Sequence, residues 1–469
     1  MWRLTGFSLR AVIASLTMLP DYIAKAVPNP STNRAPWYVN TAPTYAGIFL
    51  WVAFYQSLAA GTIDRASLAV CMLALAVAGL LCFALYYYAP AMLGMKTGYP
   101  LYVVGSSTFG TTGGYLMPGL LMGVLQIGWF AVGTFFATKF ILSGIGSDAQ
   151  PGSALFTAIA VIWGYTMAYI GAKGIQYVAK TALYLNGISF LMVLIVFMKT
   201  MGGIGQHTVD PTKADPFAAF TLLVQAVIGF FATAGAAGAD FGMNSRHEGD
   251  VRMGGFTGIA LAILYAGGLP ILSVAGARAL DGNISSFSYD AVIASLGGTL
   301  ASSMFFLFAV ASIPSACFCA LIAGNSFSTM IPGVKRMSSM MVAVTFAIVL
   351  AATGIAADLI GFFTIVGASF GPICGAMTAD YILSGKRWAG PREGVSMAGY
   401  IAWALGFLVG ILPFLPVSEG LKTIAQPAVV YSYITGFVVY AILAKMGLEP
   451  KPVPVKETAP IQQRAKAKR

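Results

Sequence analysis

Long apolar stretches recur along the whole chain and limit what it can fold into. About twelve of them are long enough to cross roughly 30 Å of hydrocarbon as an α-helix. They cover approximately residues 43–62, 67–90, 115–143, 155–172, 181–200, 217–239, 254–276, 300–327, 339–357, 359–384, 396–415 and 428–446. The pattern predicts an all-α polytopic membrane protein that lies in a lipid bilayer.

The scarcity of charge supports this interpretation. The chain is 58% hydrophobic and 9% charged, whereas soluble proteins are roughly 45–50% apolar and 25% charged. With 27 basic and 16 acidic side chains among 469 residues, the chain could not cover the surface of a soluble protein. Its 54 glycines are typical of membrane helices that pack closely against one another.

The few reactive side chains exclude several kinds of chemistry. Only two histidines are present, His207 and His247, and none of the five cysteines forms a Cys-x-x-Cys pair. The sequence therefore predicts no structural metal site and no disulfide framework. Clustered acid–base residues are also missing from the apolar stretches, so we expect neither an enzyme nor a cofactor beyond a coupling ion.

The basic residues indicate how the chain is oriented. Most of the 27 Lys and Arg residues fall in every second loop and in the two terminal segments. The positive-inside rule then predicts a plasma-membrane protein whose termini are both cytoplasmic. Because the basic residues are distributed in this way, the net charge of +11 reflects membrane orientation and does not indicate nucleic-acid binding.

These features predict three regions along the chain. Residues 1–42 form a cytoplasmic N-terminal segment in which Met1–Leu19 is amphipathic, residues 43–446 form the transmembrane domain, and residues 447–469 form a tail. We expect the tail to be disordered, because prolines and basic residues follow the last span closely.

One polar face lies at membrane depth in the third span. Gln126 and Trp129 are three residues apart and share a helix face, which Gly133 and Ala137 continue with small side chains. Such a face could stack a flat polar ring on Trp129 and hydrogen-bond the edge of that ring with Gln126. The alternative is an aromatic belt residue beside a glutamine that bonds a neighbouring helix.

Glycine interrupts the first and the sixth spans at corresponding places. The first span contains Gly47 to Trp51, and the sixth contains Gly229 to Gly235. Paired interruptions of this kind indicate unwound helices at a transporter's central site, although close helix packing also explains glycine. In the eighth span, Pro314 frees a backbone carbonyl beside two serines, where either a cation niche or a plain kink is expected.

Specific motifs resemble a known family. The segment Gly94-Met95-Lys96-Thr97-Gly98, followed by Phe109-Gly110 and by Gln126-Ile127-Gly128-Trp129-Phe130, resembles the cytosine permease branch of the nucleobase:cation symporter-1 family. Ala239-Asp240-Phe241 and Ala379-Asp380-Tyr381 are similar to that family too. The resemblance implies a leucine-transporter-like five-plus-five inverted repeat with two added C-terminal helices, and cation-coupled import of a small ring compound.

The resemblance also implies a substrate site. Trp129 and Phe231 would enclose the ring, Gln126 would bond its polar edge, and Trp51 would close the pocket from the first span. Phe230, which stands where a cytosine permease has Ser, belongs to the same set.

For the cation, the resemblance implies carbonyl ligands from Gly47 and Leu50, faced by Ala311 and Ser315 of the eighth span. Ala311 stands where a cytosine permease has Asn, and Pro314 stands where it has a hydroxyl ligand. The sequence favours sodium over a proton as the coupling ion, because no Asp, Glu or His lies convincingly at membrane depth.

The predicted function is thus a symporter that imports a nucleobase such as cytosine or a related small heterocycle. The alternatives are a symporter for another organic solute (allantoin, a hydantoin, a vitamin precursor or an amino acid), a channel, and a membrane-embedded enzyme.

Overall fold

A computed structural model describes residues 19–173 and 175–454, with only the backbone given for 175–184. Residues 1–18 of the predicted amphipathic N-terminal segment and residues 455–469 of the predicted tail lie outside this part of the chain. The described portion of the N-terminal segment contains one turn of helix at Asp21–Ala24 and one of 3-10 helix at Ser31–Asn33.

The helices agree with the predicted spans. Within the described residues, nine are long and apolar enough to cross a membrane: Leu68–Thr97, Gly113–Gly144, Ala154–Ala172, Leu185–Gln206, Pro216–Ala236, Glu248–Leu280, Gly298–Met330, Leu359–Leu383 and Ala428–Lys445. Two shorter apolar helices, Arg336–Ala352 and Met397–Gly410, are the ninth and eleventh spans. With the broken first span, the all-helical architecture of about twelve spans is confirmed.

The first span is interrupted in its middle. Its first helix, Thr41–Phe49, ends at Leu50, Trp51 is extended (φ −82°, ψ 128°), and a short helix follows at Val52–Tyr55. The last carbonyls of a helix lack N–H partners in a following turn. This break therefore leaves backbone oxygens free at membrane depth.

The predicted unwinding of the sixth span is wrong. Pro216–Ala236 is one continuous helix through the glycine-rich segment, and a short helix, Gly238–Gly242, follows it. Gly229 instead permits close packing, because a Cβ there would lie 2.4 Å from the carbonyl oxygen of Phe363.

The eighth span has a turn at Ser312, between Gly298–Ala311 and Ile313–Met330. Pro314 lies in the first turn of the second helix, where its missing N–H costs no hydrogen bond.

The spans pack as two groups of four. In the 1-2-6-7 group, the second span packs on the sixth and the seventh, and the first packs on the seventh. The third, fourth, eighth and ninth spans pack on one another and form the 3-4-8-9 group. The tenth span packs on the sixth and also reaches the third, and the eleventh and twelfth pack against the tenth. Within the 1-2-6-7 group, a Cβ at Gly94 would lie 2.0 Å from the oxygen of Ala239, so the second span requires glycine there.

The beginning of the predicted tail is ordered, contrary to the expectation of disorder. Glu449 accepts a hydrogen bond from Arg392 at 2.8 Å, and the amide of Glu393 donates to the carbonyl of Lys451 at 3.0 Å. Val453 donates to Pro391 in the same way. Residues 447–453 therefore dock onto the loop between the tenth and eleventh spans. The sequence did not indicate this, because Arg392, which binds Glu449, lies 57 residues earlier in the chain.

Candidate functional site

Trp129 lies where the two groups meet, surrounded by aromatic rings. It is buried in the third span, and its ring centroid lies 4.8 Å from that of Phe230, 5.0 Å from Phe362, 5.5 Å from Phe363 and 5.7 Å from Trp51. These rings come from the sixth, tenth and first spans. The site is therefore shared by elements that belong to both groups and to the tenth span.

The glycines beside Trp129 admit these rings. A Cβ at Gly133 would lie 3.0 Å from Cζ2 of Trp51, so the indole of the first span occupies the space that the small-residue face predicts. A Cβ at Gly128 would lie 2.3 Å from Phe362, which could not then approach the third span. The sequence did not indicate Phe362 or Phe363; the one local signal for Phe362 was Gly128 next to Trp129.

Two buried polar groups at the site have no partner among the described residues. Gln126 donates weakly from Nε2 to the sulfur of Met122 at 3.5 Å, and its Oε1 is unpaired. The Nε1–H of Trp51 is unpaired as well. Because buried polar groups in proteins are nearly always hydrogen-bonded, one free acceptor and one free donor beside a ring cluster fit a flat ligand with polar edges.

The rings of Trp129 and Phe231 are not in direct contact in the described part of the chain. Phe231 stacks on Phe49 with ring centroids 5.6 Å apart and lies 5.7 Å from Tyr45. Phe230 takes the place beside Trp129. Successive residues on a helix point about 100° apart, so only one of this pair can face the third span.

Thr233 is a site residue that sequence reasoning missed. Its Oγ1 accepts a hydrogen bond from Nε1 of Trp129 at 3.0 Å, and both side chains are buried. The sequence offered no signal for it, because threonine is common in apolar helices and the partner lies 104 residues away.

The predicted cation residues lie at the two helix breaks. Leu50 ends the first half of the first span, and Ala311 ends the first half of the eighth. Ser315 Oγ donates to the carbonyl of Ser312 at 3.2 Å, which leaves its lone pairs available. Gly47 packs on Asn186 of the fifth span, whose Oδ1 lies 2.6 Å from where a Cβ would be.

Aromatic contacts place these two breaks at a similar depth. On the side of the breaks that is distant from Thr41, the rings of Tyr55 and Phe308 are 6.2 Å apart. On the side near Thr41, Tyr45 lies 4.7 Å from Phe241, which stacks on Phe318 at 6.2 Å. The unwound parts of the first and eighth spans are thus bracketed by contacts at both ends.

The site is covered at the end of the bundle opposite Thr41. The fully buried rings of Tyr55 and Tyr289 meet edge to face at 5.0 Å. Beside them Gln56 donates to Asp290 at 2.5 Å, and Lys139 of the third span pairs with the same carboxylate. Burial alone would raise the pKa of Asp290, but the Lys139 ammonium and these hydrogen bonds hold it below its ordinary value.

Solved transporter structures share this architecture. Mhp1, described as a nucleobase-cation-symport-1 family transporter and solved closed with bromovinylhydantoin bound, matches with a TM-score of 0.68 at 16% identity, over 90% of this chain and 94% of its own. A Na⁺-coupled sialic acid symporter matches at 0.56 and 12% identity, over 95% and 98%. The fold is that of a multi-pass, leucine-transporter-like membrane protein with the predicted five-plus-five repeat and two added helices.

The family follows from sequence. A family model described as permease for cytosine/purines, uracil, thiamine, allantoin matches residues 27–436, and the chain belongs to this family. The cytosine permease of Escherichia coli strain K12 is 28% identical over 347 residues, which are 70% of this chain and 76% of the permease. That of strain O157:H7 is 27% identical over 345 residues. The predicted resemblance is confirmed, and the chain is a transporter rather than an enzyme.

Proposed function

We propose that this protein imports a nucleobase or a related small heterocycle together with a cation across the plasma membrane. The observation that carries the proposal is the ring cluster around Trp129, with an unpaired acceptor on Gln126 and an unpaired donor on Trp51. A flat ring can stack on an aromatic face, while its N–H and C=O groups satisfy the two free polar groups.

The relatives support this class of substrate. The Escherichia coli proteins are cytosine permeases, and Mhp1 was solved with bromovinylhydantoin bound. Cytosine and hydantoins are small planar rings that carry hydrogen-bond donors and acceptors on their edges. Gln126, Trp129, Trp51 and Phe230 are the side chains we assign to such a ring; Phe231 supports the wall behind them.

We assign sodium as the coupling ion, held by the carbonyls of Gly47, Leu50 and Ala311 and the hydroxyl of Ser315. Sodium requires several oxygens that converge, and the helix breaks of the first and eighth spans each supply free backbone oxygens. One cation that enters with a neutral ring gains about 2.3 kcal/mol per 100 mV of membrane potential. The match to a Na⁺-coupled sialic acid symporter in fold is consistent with this coupling.

The substrate proposal is tested by uptake into proteoliposomes that contain the purified protein. Labelled cytosine, uracil, hypoxanthine, allantoin, hydantoins and thiamine precursors form the panel. We expect saturable uptake of at least one ring compound, competed by its close analogues. Trp129→Ala should abolish saturable binding, while Trp163→Ala, the same change in the fourth span, should preserve it. A wild-type protein that accumulates none of the panel would overturn the proposal.

The ion is tested separately at fixed pH. Uptake should rise with an inward sodium gradient, and Ser315→Ala should blunt the response. Ser328→Ala is the control, because that serine lies in the same span and donates to its own helix at Asn325. Uptake that ignores sodium but follows a pH gradient would assign proton coupling instead.

A further inference from the structure

We propose that Thr233 is a positioning residue that fixes the plane of the Trp129 indole, and thereby sets the affinity for the transported ring. The inference rests on the proposed function, since it concerns the same site. Its structural basis is the 3.0 Å hydrogen bond from Trp129 Nε1 to Thr233 Oγ1, whose two side chains are both buried.

Thr233 does not make the bond to its own helix that several threonines of the spans make. The hydroxyls of Thr221, Thr345, Thr364 and Thr378 each donate to the backbone carbonyl four residues earlier, at 2.8 to 3.0 Å. This back-bonding is the usual way in which a buried helical threonine satisfies its hydroxyl. In the described part of the chain no such bond is present for Thr233, whose oxygen is directed at the indole.

The rings that contact Trp129 cannot replace the acceptor of Thr233. They are those of Phe230, Phe362, Phe363 and Trp51, and none of them offers a conventional acceptor. The unpaired Oε1 of Gln126 lies one helical turn earlier, so the indole would have to change its plane to use it. In its present orientation, loss of the Thr233 oxygen would leave a buried N–H unpaired. The indole would then turn about its side-chain bonds or admit water, and the face that it presents to a ring would no longer be fixed.

The bond also crosses between the two helix groups. Trp129 belongs to the third span and Thr233 to the sixth, so the contact joins the 3-4-8-9 group to the 1-2-6-7 group at the site itself. A substrate that stacks on Trp129 therefore meets a ring whose orientation is set from the opposite group. Thr233 can therefore affect the substrate site through Trp129, whereas a threonine that bonds only its own helix cannot.

Three variants test the proposal in the uptake assay. Thr233→Val keeps the shape but removes the acceptor, and we expect KM to rise roughly three- to tenfold, the effect of one neutral hydrogen bond. Thr233→Ser keeps the hydroxyl and should stay within about twofold of wild type. Thr221→Val is the matched control: it lies in the same helix, is buried, and its hydroxyl bonds only its own helix at Phe217 and Ala218.

A double-variant cycle shows whether Thr233 acts through Trp129. In a Trp129→Phe background, which lacks the indole N–H, Thr233→Val should add no further change in KM. Thr233→Val should also shift the tryptophan fluorescence of the protein, and this shift should be absent in the Trp129→Phe background. An unchanged KM for Thr233→Val, or the same rise in KM in both backgrounds, would overturn the proposal.

Failure of this inference is distinguishable from failure of the proposed function. If the wild-type protein transports none of the ring compounds, the proposed substrate class is wrong. The fluorescence cycle then still decides whether Thr233 orients Trp129. If the wild type transports a ring compound and Thr233→Val does so with the same KM, only the positioning role is lost.

Discussion

Arg392 and Asp380 form an ion pair that is almost completely buried, with Nη1 2.9 Å from Oδ1 and exposed fractions of 5% and 2%. The pair lies at the Thr41 end of the bundle, where the tenth span ends. The hydroxyls of Ser107 and Thr108 donate to the other carboxylate oxygen at 2.6 and 3.0 Å. This network joins the loop after the second span to the tenth span and to the docked tail.

We expect loss of either member of this pair to destabilise the protein. Asp380→Asn leaves the guanidinium buried beside a neutral amide, and breaking a buried pair typically costs about 3–5 kcal/mol. Thermal unfolding in detergent should show a clearly lower midpoint. The control is Asp21→Asn, which breaks the exposed pair with Lys25 and should change stability by less than about 1 kcal/mol. Equal midpoints for the two variants would contradict this assignment.

The docked tail should contribute measurably to stability. Glu449 accepts from both Arg392 at 2.8 Å and Tyr440 at 2.7 Å. Glu449→Gln removes the charge but keeps the size, and we expect a cost of about 1–2 kcal/mol, since hydrogen bonds to charged groups are the stronger kind. Glu419→Gln, which affects an exposed pair with Lys422, is the matched control and should be near neutral.

Asp240 should make stability depend on pH. It follows the sixth span, and its carboxylate accepts from the amide of Leu101 at 3.3 Å. Burial raises the pKa of Asp240 to about 6. The folded state then holds a proton that the unfolded state releases above about pH 4, so this group's contribution to stability falls as pH rises from about 4 to 6 and is constant above that.

The measurement compares variants rather than absolute stabilities. The free energy of unfolding of Asp240→Asn, minus that of wild type, should increase between pH 4 and pH 6, because the variant lacks the titrating carboxyl group. Asp148→Asn, in an exposed loop, serves as the control. A difference that does not vary with pH would show that Asp240 is solvated.

Phe230 and Phe231 should have different roles. Phe230 lies beside Trp129, so Phe230→Ala should weaken ring binding by about 1–3 kcal/mol, the usual worth of base–aromatic stacking. Phe231 stacks on Phe49 rather than on Trp129, so Phe231→Ala should mainly lower the unfolding temperature, as large-to-small core changes do. Binding and thermal unfolding of each purified variant separate the two effects; the reverse pattern would place Phe231 at the ring.

Both termini should be cytoplasmic. The Thr41 end of the bundle carries Arg34, Lys96 and Arg392 in the segments that connect or flank the spans, and the positive-inside rule places such an end in the cytoplasm. A reporter that is active only in the cytoplasm should therefore work when fused after Arg469. Activity only of a periplasmic reporter at that position would reverse the orientation.

The sequence was sufficient for the architecture because membrane helices are set by local composition. Each span is an apolar run of the required length, and in hydrocarbon such a run must form a helix to satisfy its own backbone. The Trp129 face followed from the helical spacing of Gln126 and Trp129, and the break at Leu50 from the glycine of the first span. The sixth span was mispredicted because glycine serves both unwinding and close packing, and only the position of Phe363 distinguishes these uses.

The tertiary structure alone determined which side chains meet. Phe230 and Phe231 are adjacent in sequence, and the rotation of one helix against its neighbours decides which of them faces Trp129. The bond from Trp129 to Thr233 and the ion pair that docks Glu449 join residues far apart in the chain. Such contacts depend on how helices pack as rigid bodies, and a single sequence carries the local period of each helix but not its rotation against the others.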